Sequence, residues 1–422
     1  MMMSIYRIVT SLGFPLIRFY LSRRLAMGKE CRLRFTERLG NASLPRPEGL
    51  IIWVHGASIG ESLSMLPLIE RLRADHPEWK ILVTTGTVTS ASLMVERLPE
   101  GAFHQFIPVD RVAYIYKFFN HWRPDLALWT ESEFWPNIIS IAATLKIPMV
   151  LLNGRISKKS LKNWRIFPSL IKEILSAFSL CLGQSDEDAL RLSELGATNS
   201  KCIGNLKFAT PPLTADQKAL KNLSVLVGQR PCWLASSTHK GDEEIVGRIH
   251  KNIKAKQSNI LSIIVPRHPV RGLEIARALR GMGLKVALRS TNASLKTTTD
   301  IYIADTLGEL GLLYRLVPIV YIGKSLVSVG GQNPLEAARL DCAIVFGSRM
   351  DNFKEITAKL TKNNACIEVS DEAGLLKTIK RLMENPKECR QLATAARRVT
   401  NEQSNVLEAV VHELQPFLLR GR

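Results

Sequence analysis

Twice along this chain, short apolar runs alternate with stretches of helical spacing, and this rhythm constrains the fold more than any single residue does. The first series starts near Leu50 and reads I-I-W-V, K-I-L-V-T-T, L-A-L-W-T at Leu126–Thr130, and P-M-V-L-L-N at 148–153. Helical stretches follow Glu61 and cover 89–98 and 138–145. The second series reads C-W-L-A-S-S-T, I-L-S-I-I-V-P, L-K-V-A-L, I-Y-I-A-D, I-V-Y-I-G and C-A-I-V-F-G. Strands separated by helices build a parallel sheet with helices over its faces. At 422 residues the chain exceeds the length at which single cores stop growing. The expected fold is therefore α/β, with two Rossmann-like domains facing across a cleft and ligands outside the carboxyl ends of the strands. A polar, proline-bearing linker over 207–215 separates the series. The boundaries drawn are an N-terminal membrane-anchor helix over 1–30, a first domain over 31–206 and a second over 207–422. The last helical region, about 385–419, is expected to return to the first domain.

Composition narrows the partners. A formal net charge of +19 and a pI near 9.8 favour a partner that is anionic: nucleic acid, a phosphorylated metabolite or a membrane. Cys31, Cys181, Cys202, Cys232, Cys342, Cys366 and Cys389 form no C-x-x-C pair, which argues against a disulfide framework or a zinc site. The apolar N-terminus is interrupted by Arg7, Pro15 and Arg18 and lacks a small-residue cleavage site, so neither a secretory signal nor a full membrane span fits it well. Residues 1–50 hold nine Lys/Arg against three acids, as an interfacial anchor on an anionic leaflet would. An ordinary helix docked on the first domain is the other reading of the same stretch.

The turn I-I-W-V-H-G-A-S-I-G-E-S runs from a strand into a helix, because Leu63, Leu66, Ile69 and Leu72 recur at helical spacing. Gly56 and Gly60 suit a tight turn with room for a ligand, and Glu61 falls in the first helical turn. Glu61 there either complements the helix dipole or serves a site. Glu133, in T-E-S-E-F-W-P-N, could orient a sugar hydroxyl or cap the helix that begins near Pro136. In the second series, Ser237 and Thr238 could hold a phosphate, and Arg267 offers a planar fork of donors. Gly308 and Glu309 follow another strand end. G-G-Q-N-P-L-E brings backbone close to a ligand, and Glu336 suits a ribose diol. The basic run containing Arg155, Lys158, Lys162 and Arg165 is a solvated face or a surface for an anionic acceptor. Asp186-Glu187-Asp188 reads more simply as helix-start acids than as metal ligands.

Taken together, these motifs resemble the Kdo transferases, the 3-deoxy-D-manno-octulosonic acid transferases of lipopolysaccharide synthesis (glycosyltransferase family 30). The landmarks are W-V-H-G-A-S-I-G-E, E-F-W-P-N, G-N-L-K-F, S-T-H-K-G, P-R-H-P, G-E-L-G-L-L-Y and S-L-V-S-V-G-G-Q-N-P-L-E, with N-F-K-E-I beyond them. The resemblance implies a GT-B fold and an inverting transferase that moves Kdo from CMP-Kdo to the lipid A precursor (lipid IVA). No metal or other cofactor is implied, and the implied location is the cytoplasmic face of the inner membrane. Carried onto matching positions, Glu61 would be the general base and Glu133 a second essential carboxylate. Ser58, Gly60, Lys207, Ser237, Thr238, Arg267, Gly308, Glu309, Asn333 and Glu336 would bind CMP-Kdo, and Arg155, Lys158, Lys162 and Arg165 the acceptor. The family commonly has His, Gly and Pro where Gln332, Lys324 and Ala337 stand, which puts a charge role at Gln332 in doubt. The rival readings are a GT-B enzyme using a UDP-sugar and, from net charge alone, a basic membrane-attached nucleic-acid-binding protein. No nucleic-acid-binding motif supports the latter.

Overall fold

The computed structural model describes residues 2–209, 211–291, 295–402 and 405–418. Two compact units divide the chain: Met1–Thr210 with Gln403–Arg422, and Pro211–Glu402. The first holds strands β1 (Ile51–His55), β2 (Lys80–Thr85), β3 (Ala102–Phe106), β4 (Leu126–Thr130), β5 (Met149–Gly154), β6 (Leu180–Gly183) and β7 (Ser200–Cys202), in the order β3-β2-β1-β4-β5-β6-β7. The second holds β8 (Cys232–Thr238), β9 (Leu261–Pro266), β10 (Val286–Leu288), β11 (Ile301–Ile303), β12 (Ile319–Ile322), β13 (Ala343–Gly347) and β14 (Ile367–Val369), in the order β10-β11-β9-β8-β12-β13-β14. The strand pairings are parallel throughout both sheets.

Both sheets run outward from a first strand and then cross back to its other side. This creates switch points between β1 and β4 and between β8 and β12, where open α/β sheets bind ligands. Every residue of β1 is buried, because successive side chains alternate between two covered faces. Ile51 and Trp53 enter one core with Phe118, Phe119 and Trp129, while Ile52 and Val54 enter the other with Met65, Leu68 and Ile69.

Four strands differ from the sequence expectation by their presence. β3 carries His104 and Gln105, which hide its apolar rhythm. Both are buried and paired, His104 Nε2 with Thr85 Oγ1 at 2.9 Å and Gln105 Oε1 accepting from Trp122 Nε1 at 2.7 Å. β6, β7 and β14 are three or four residues long, and β7 is an edge strand with Lys201 and Cys202 exposed.

The first three α-helices are α1 (Met2–Leu12), α2 (Phe14–Ala26) and α3 (Ile59–Asp75). On α3 the expected inward stripe needs correction. Leu66, Ile69 and Leu72 are buried, but Leu63 is 37% exposed, and Met65 and Leu68 complete the buried face instead. The C-terminal region is two helices rather than one. Pro386–Asn401 belongs to the second unit, while Val406–Leu418 buries Val406, Val410 and Leu414 in the core of the first. Each such side chain contributes roughly 1.5–3 kcal/mol when fully buried. Residues 419–422 lie outside the described residues.

Candidate active site

At the β1–β4 switch point three carboxylates converge. Ser58 is the N-cap of α3, its Oγ accepting from the Glu61 backbone N at 3.4 Å and donating to Glu61 Oε1 at 2.7 Å. The Ala57 backbone N donates to Glu61 Oε2 at 2.8 Å, so both carboxylate oxygens are held by the turn itself. Gly56 fits closely there, since an added Cβ would lie 3.2 Å from Ser62 N and Thr130 Oγ1 and would press on both. Gly60 is not crowded: a Cβ on it would meet open space, so it leaves room rather than enabling the turn.

Glu61 is 8% exposed, and burial pushes its carboxyl above the usual Glu range. The Ser58 and Ala57 hydrogen bonds oppose that rise, while the negative charges of Glu131 and Glu133 reinforce it. Glu133 is exposed and accepts from Trp135 Nε1 at 3.0 Å, while its carbonyl accepts from Trp129 Nε1 at 2.7 Å. It does not cap the Pro136–Thr144 helix, whose N-cap, Trp135, makes no side-chain cap bond.

Glu131, the other carboxylate of the strand-end pair, is the one to which sequence reasoning gave no role. Its φ of 56° places it in the left-handed region, unusual for a side chain with a Cβ. Its carboxylate pairs with Lys207 Nζ at 2.7 Å. Lys207 therefore stands in the first unit beside the carboxylates, not at the head of the second domain. Its short 3-10 helix, Leu206–Ala209, is moored by Asn153 Oδ1, which accepts from Leu206 N at 3.0 Å, and by Asn205 Oδ1, which accepts from Lys207 N at 2.9 Å. The presence of a second Glu two residues before Glu133, at a strand end, was the available signal.

The basic run forms the exposed helix Lys158–Trp164 after β5. Lys158 and Lys162 are exposed, Arg165 pairs with Glu194 at 3.2 Å, and the Arg155 carbonyl accepts from Ser132 Oγ of the carboxylate loop. Asp188 is spent locally, accepting from Ile156 N at 2.8 Å and from Ser185 Oγ at 2.7 Å.

In the second unit, the turns after β8 and β12 are tied together by Asp242. It is fully buried and accepts from His239 N at 2.9 Å, Lys324 N at 2.7 Å and Tyr321 OH at 3.0 Å. Burial raises its carboxyl to about 6. Lys324 adopts φ 69°, a conformation that glycine takes at lower cost. Gln332 Nε2 lies 3.0 Å from His239 Nε2, and since an amide N–H only donates, His239 accepts there.

The predicted donor-binding residues divide by how their polar atoms are used. Ser237 sits at φ 53° at the strand end, while Thr238 is buried and donates to Glu243 Oε1 at 2.9 Å. Glu309 is held by both arms of Arg289 and by Thr306, which lowers its carboxyl below the usual range. Gly308 has φ 79° and faces open space. Asn333 Oδ1 accepts from Leu335 N at 3.1 Å, and its Nδ2 donates to Glu336 Oε1 at 3.4 Å. Burial raises Glu336, against the Asn333 hydrogen bond and the positive charges of Arg267 and Arg339. Arg267 itself is exposed at the end of β9.

Residues 33–210, which include Glu61, Glu131, Glu133 and Lys207, match the family described as 3-deoxy-D-manno-octulosonic-acid transferase. A probable mitochondrial 3-deoxy-D-manno-octulosonic acid transferase of Arabidopsis thaliana is 35% identical over 393 residues, covering 90% of this chain and 88% of its own. The chain belongs to the 3-deoxy-D-manno-octulosonic acid transferases. It is a glycosyltransferase by family. The Haemophilus influenzae transferase is 32% identical over 414 residues and matches over 96% of both chains. Among solved structures, the UDP-GlcNAc 2-epimerase from Neisseria meningitidis bound to UDP-GlcNAc aligns with a TM-score of 0.60 over 88% of this chain and all of its own. At 12% identity that likeness speaks for the fold alone, two parallel-sheet units of the GT-B kind.

Proposed function

We propose that this transferase moves Kdo from CMP-Kdo to a sugar hydroxyl of the lipid A precursor, lipid IVA, with inversion at the anomeric carbon. In this reading Glu61 takes the hydroxyl proton as the acceptor oxygen bonds to the anomeric carbon. The bond from that carbon to the CMP phosphate oxygen breaks, and CMP leaves with its electron pair. A positioned base of this sort typically contributes ~10²–10⁴-fold. The observation that supports it best is the buried Glu61 at a switch point, where burial and two neighbouring carboxylates favour proton uptake. Glu133, on the loop after β4, would orient the acceptor, with Arg155, Lys158, Lys162 and Arg165 meeting its anionic groups.

Donor binding falls to the second unit. Arg267 would meet the phosphate, with Ser237, Gly308, Asn333 and Glu336 against the nucleotide. Thr238 and Glu309 would act by shaping their loops. Ser58 and Gly60 would serve through the Glu61 turn, and Lys207 through Glu131. The boundaries proposed for the two domains follow the two series, with the second domain supplying the nucleotide site.

The same reading places the enzyme on the cytoplasmic face of the inner membrane. Among the described residues no helix is long and apolar enough to cross a membrane. On α1 and α2, however, Ile5, Ile8, Val9, Leu12, Leu16, Phe19 and Tyr20 are exposed, as an interfacial face would require.

Incubating the full chain with CMP-Kdo and lipid IVA, followed by mass spectrometry of the lipid, tests the activity. The expected product is the Kdo-bearing lipid, formed in a reaction that CMP inhibits and UDP does not. Inhibition by UDP alone, or transfer only from a UDP-sugar, would overturn the donor assignment.

A further inference from the structure

The helix that follows the carboxylate loop begins with a residue that cannot donate, Pro136, and its next two backbone N–H groups are both taken by one distant side chain. Asp110 Oδ2 accepts from Asn137 N at 3.0 Å and Oδ1 from Ile138 N at 2.9 Å. Asp110 is only 4% exposed, so these bonds are shielded from water. It caps the helix in place of Trp135, whose side chain has no oxygen to offer.

The other partners of this cap come from α1. Tyr6 OH donates to Asp110 Oδ2 at 2.9 Å. Asn137, fully buried, donates from Nδ2 to the Asp110 carbonyl at 2.7 Å and to Thr10 Oγ1 at 3.2 Å. One turn further along, Arg7 Nη2 donates to Ser140 Oγ at 2.8 Å. The side chains at 6, 7 and 10 share one face of α1, spaced for a single helix surface. The exposed apolar side chains at 5, 8, 9 and 12 occupy its remaining surface. α1 is thus docked on the first unit by a polar face, and Met3 enters that unit's core.

We infer that α1 is a positioning element of the acceptor site as well as a membrane contact. Through Asp110 and Asn137 it fixes the start of the Pro136–Thr144 helix, and with it the Glu131–Trp135 loop that presents Glu131 and Glu133 to Glu61. Tyr6, Thr10, Asp110 and Asn137 are positioning residues, bonded to one another and to the start of the helix. The inference rests on the proposal that Glu61 and Glu133 serve the transfer.

The test is a Tyr6→Phe/Thr10→Val double variant of the full chain, assayed with detergent-dispersed acceptor so that membrane docking does not limit the rate. Two lost hydrogen bonds should lower kcat about tenfold while both KM values stay within about twofold. Thr10→Ser, which keeps the hydroxyl, should turn over like the parent. Unchanged kcat in the double variant would overturn the inference. Should the double variant misfold, Tyr6→Phe alone should speed amide hydrogen exchange over 131–138, and unchanged exchange there would overturn it equally. Glu133→Gln separates the two ideas. Parental turnover in that variant would sink the role proposed for Glu133, while the exchange measurement would still report whether α1 holds the loop.

Discussion

Glu61 and Glu336 each open a helix just beyond a glycine-bearing turn, one in each unit, yet their surroundings are opposite. Burial raises both carboxyls. Around Glu61 the neighbouring charges are negative, from Glu131 and Glu133, and they raise it further. Around Glu336 they are positive, from Arg267 and Arg339, and they pull it back. Similar local sequence thus carries two carboxyls that burial raises alike, one beside like charges that add to the rise and one beside cations that oppose it. The charges about Glu61 come from the loop after β4, and of those about Glu336, Arg267 comes from the end of β9 and Arg339 from the end of its own helix.

The comparison is broken most directly at Glu61. Glu61→Ala should cut turnover by ~10²–10⁴-fold while leaving CMP affinity, measured by calorimetry, close to that of the parent. Turnover near the parental value would remove the base assignment. Asn333→Ala should behave in the opposite way. Loss of its bonds to Glu336 and Leu335 N should weaken CMP binding about tenfold with little change in kcat at saturating donor, and a kcat defect with unchanged CMP affinity would contradict the division between the units.

Smaller changes sharpen it. A base works only when ionised, so transfer must fall as pH drops through the Glu61 pKa. Because that pKa is raised by burial and like charge, the acid limb of kcat/KM should lie above the range of an ordinary Glu. Glu131→Gln removes one like charge and should move the limb to lower pH; a move upward, or none, would mean that Glu131 does not act on Glu61. Ser58→Ala removes the N-cap of α3 and should cost about 1 kcal/mol, read as a fall in Tm of about 2–4 °C. An unchanged Tm would mean that the Glu61 carboxylate, which also bonds Ala57 N, caps the helix unaided.

Much of the fold was legible before any coordinates. Four strands of the first sheet and six of the second stand out as apolar runs, because a strand buried on both faces has no polar side to interrupt it. The four that were missed are either too short to show a pattern or, like β3, carry His104 and Gln105, whose partners lie elsewhere in the chain. The site was legible in part. Glu61, Glu133 and the 330–337 turn were visible as strand-end motifs, whereas Glu131 was visible beside Glu133 but given no role, and that Lys207 pairs with it could not be read from the sequence. Asp242 stands in the sequence as the first of three successive acids, and its three donors, from the turn after β8 and from β12 with the turn beyond it, mark it out only in the fold.

By itself the sequence determined the two parallel sheets, the strand-end turns that carry Glu61, Glu133 and Glu336, and the family to which the chain belongs. These follow from local periodicity and from residue types in order, which a linear chain carries intact. The tertiary structure decided which charges face one another: Glu131 and Glu133 about Glu61, Lys207 on Glu131, and Tyr6 of α1 on the Asp110 that caps a helix far along the chain. Electrostatic and hydrogen-bonding effects depend on distance and burial, and neither quantity exists until the strands have been set side by side.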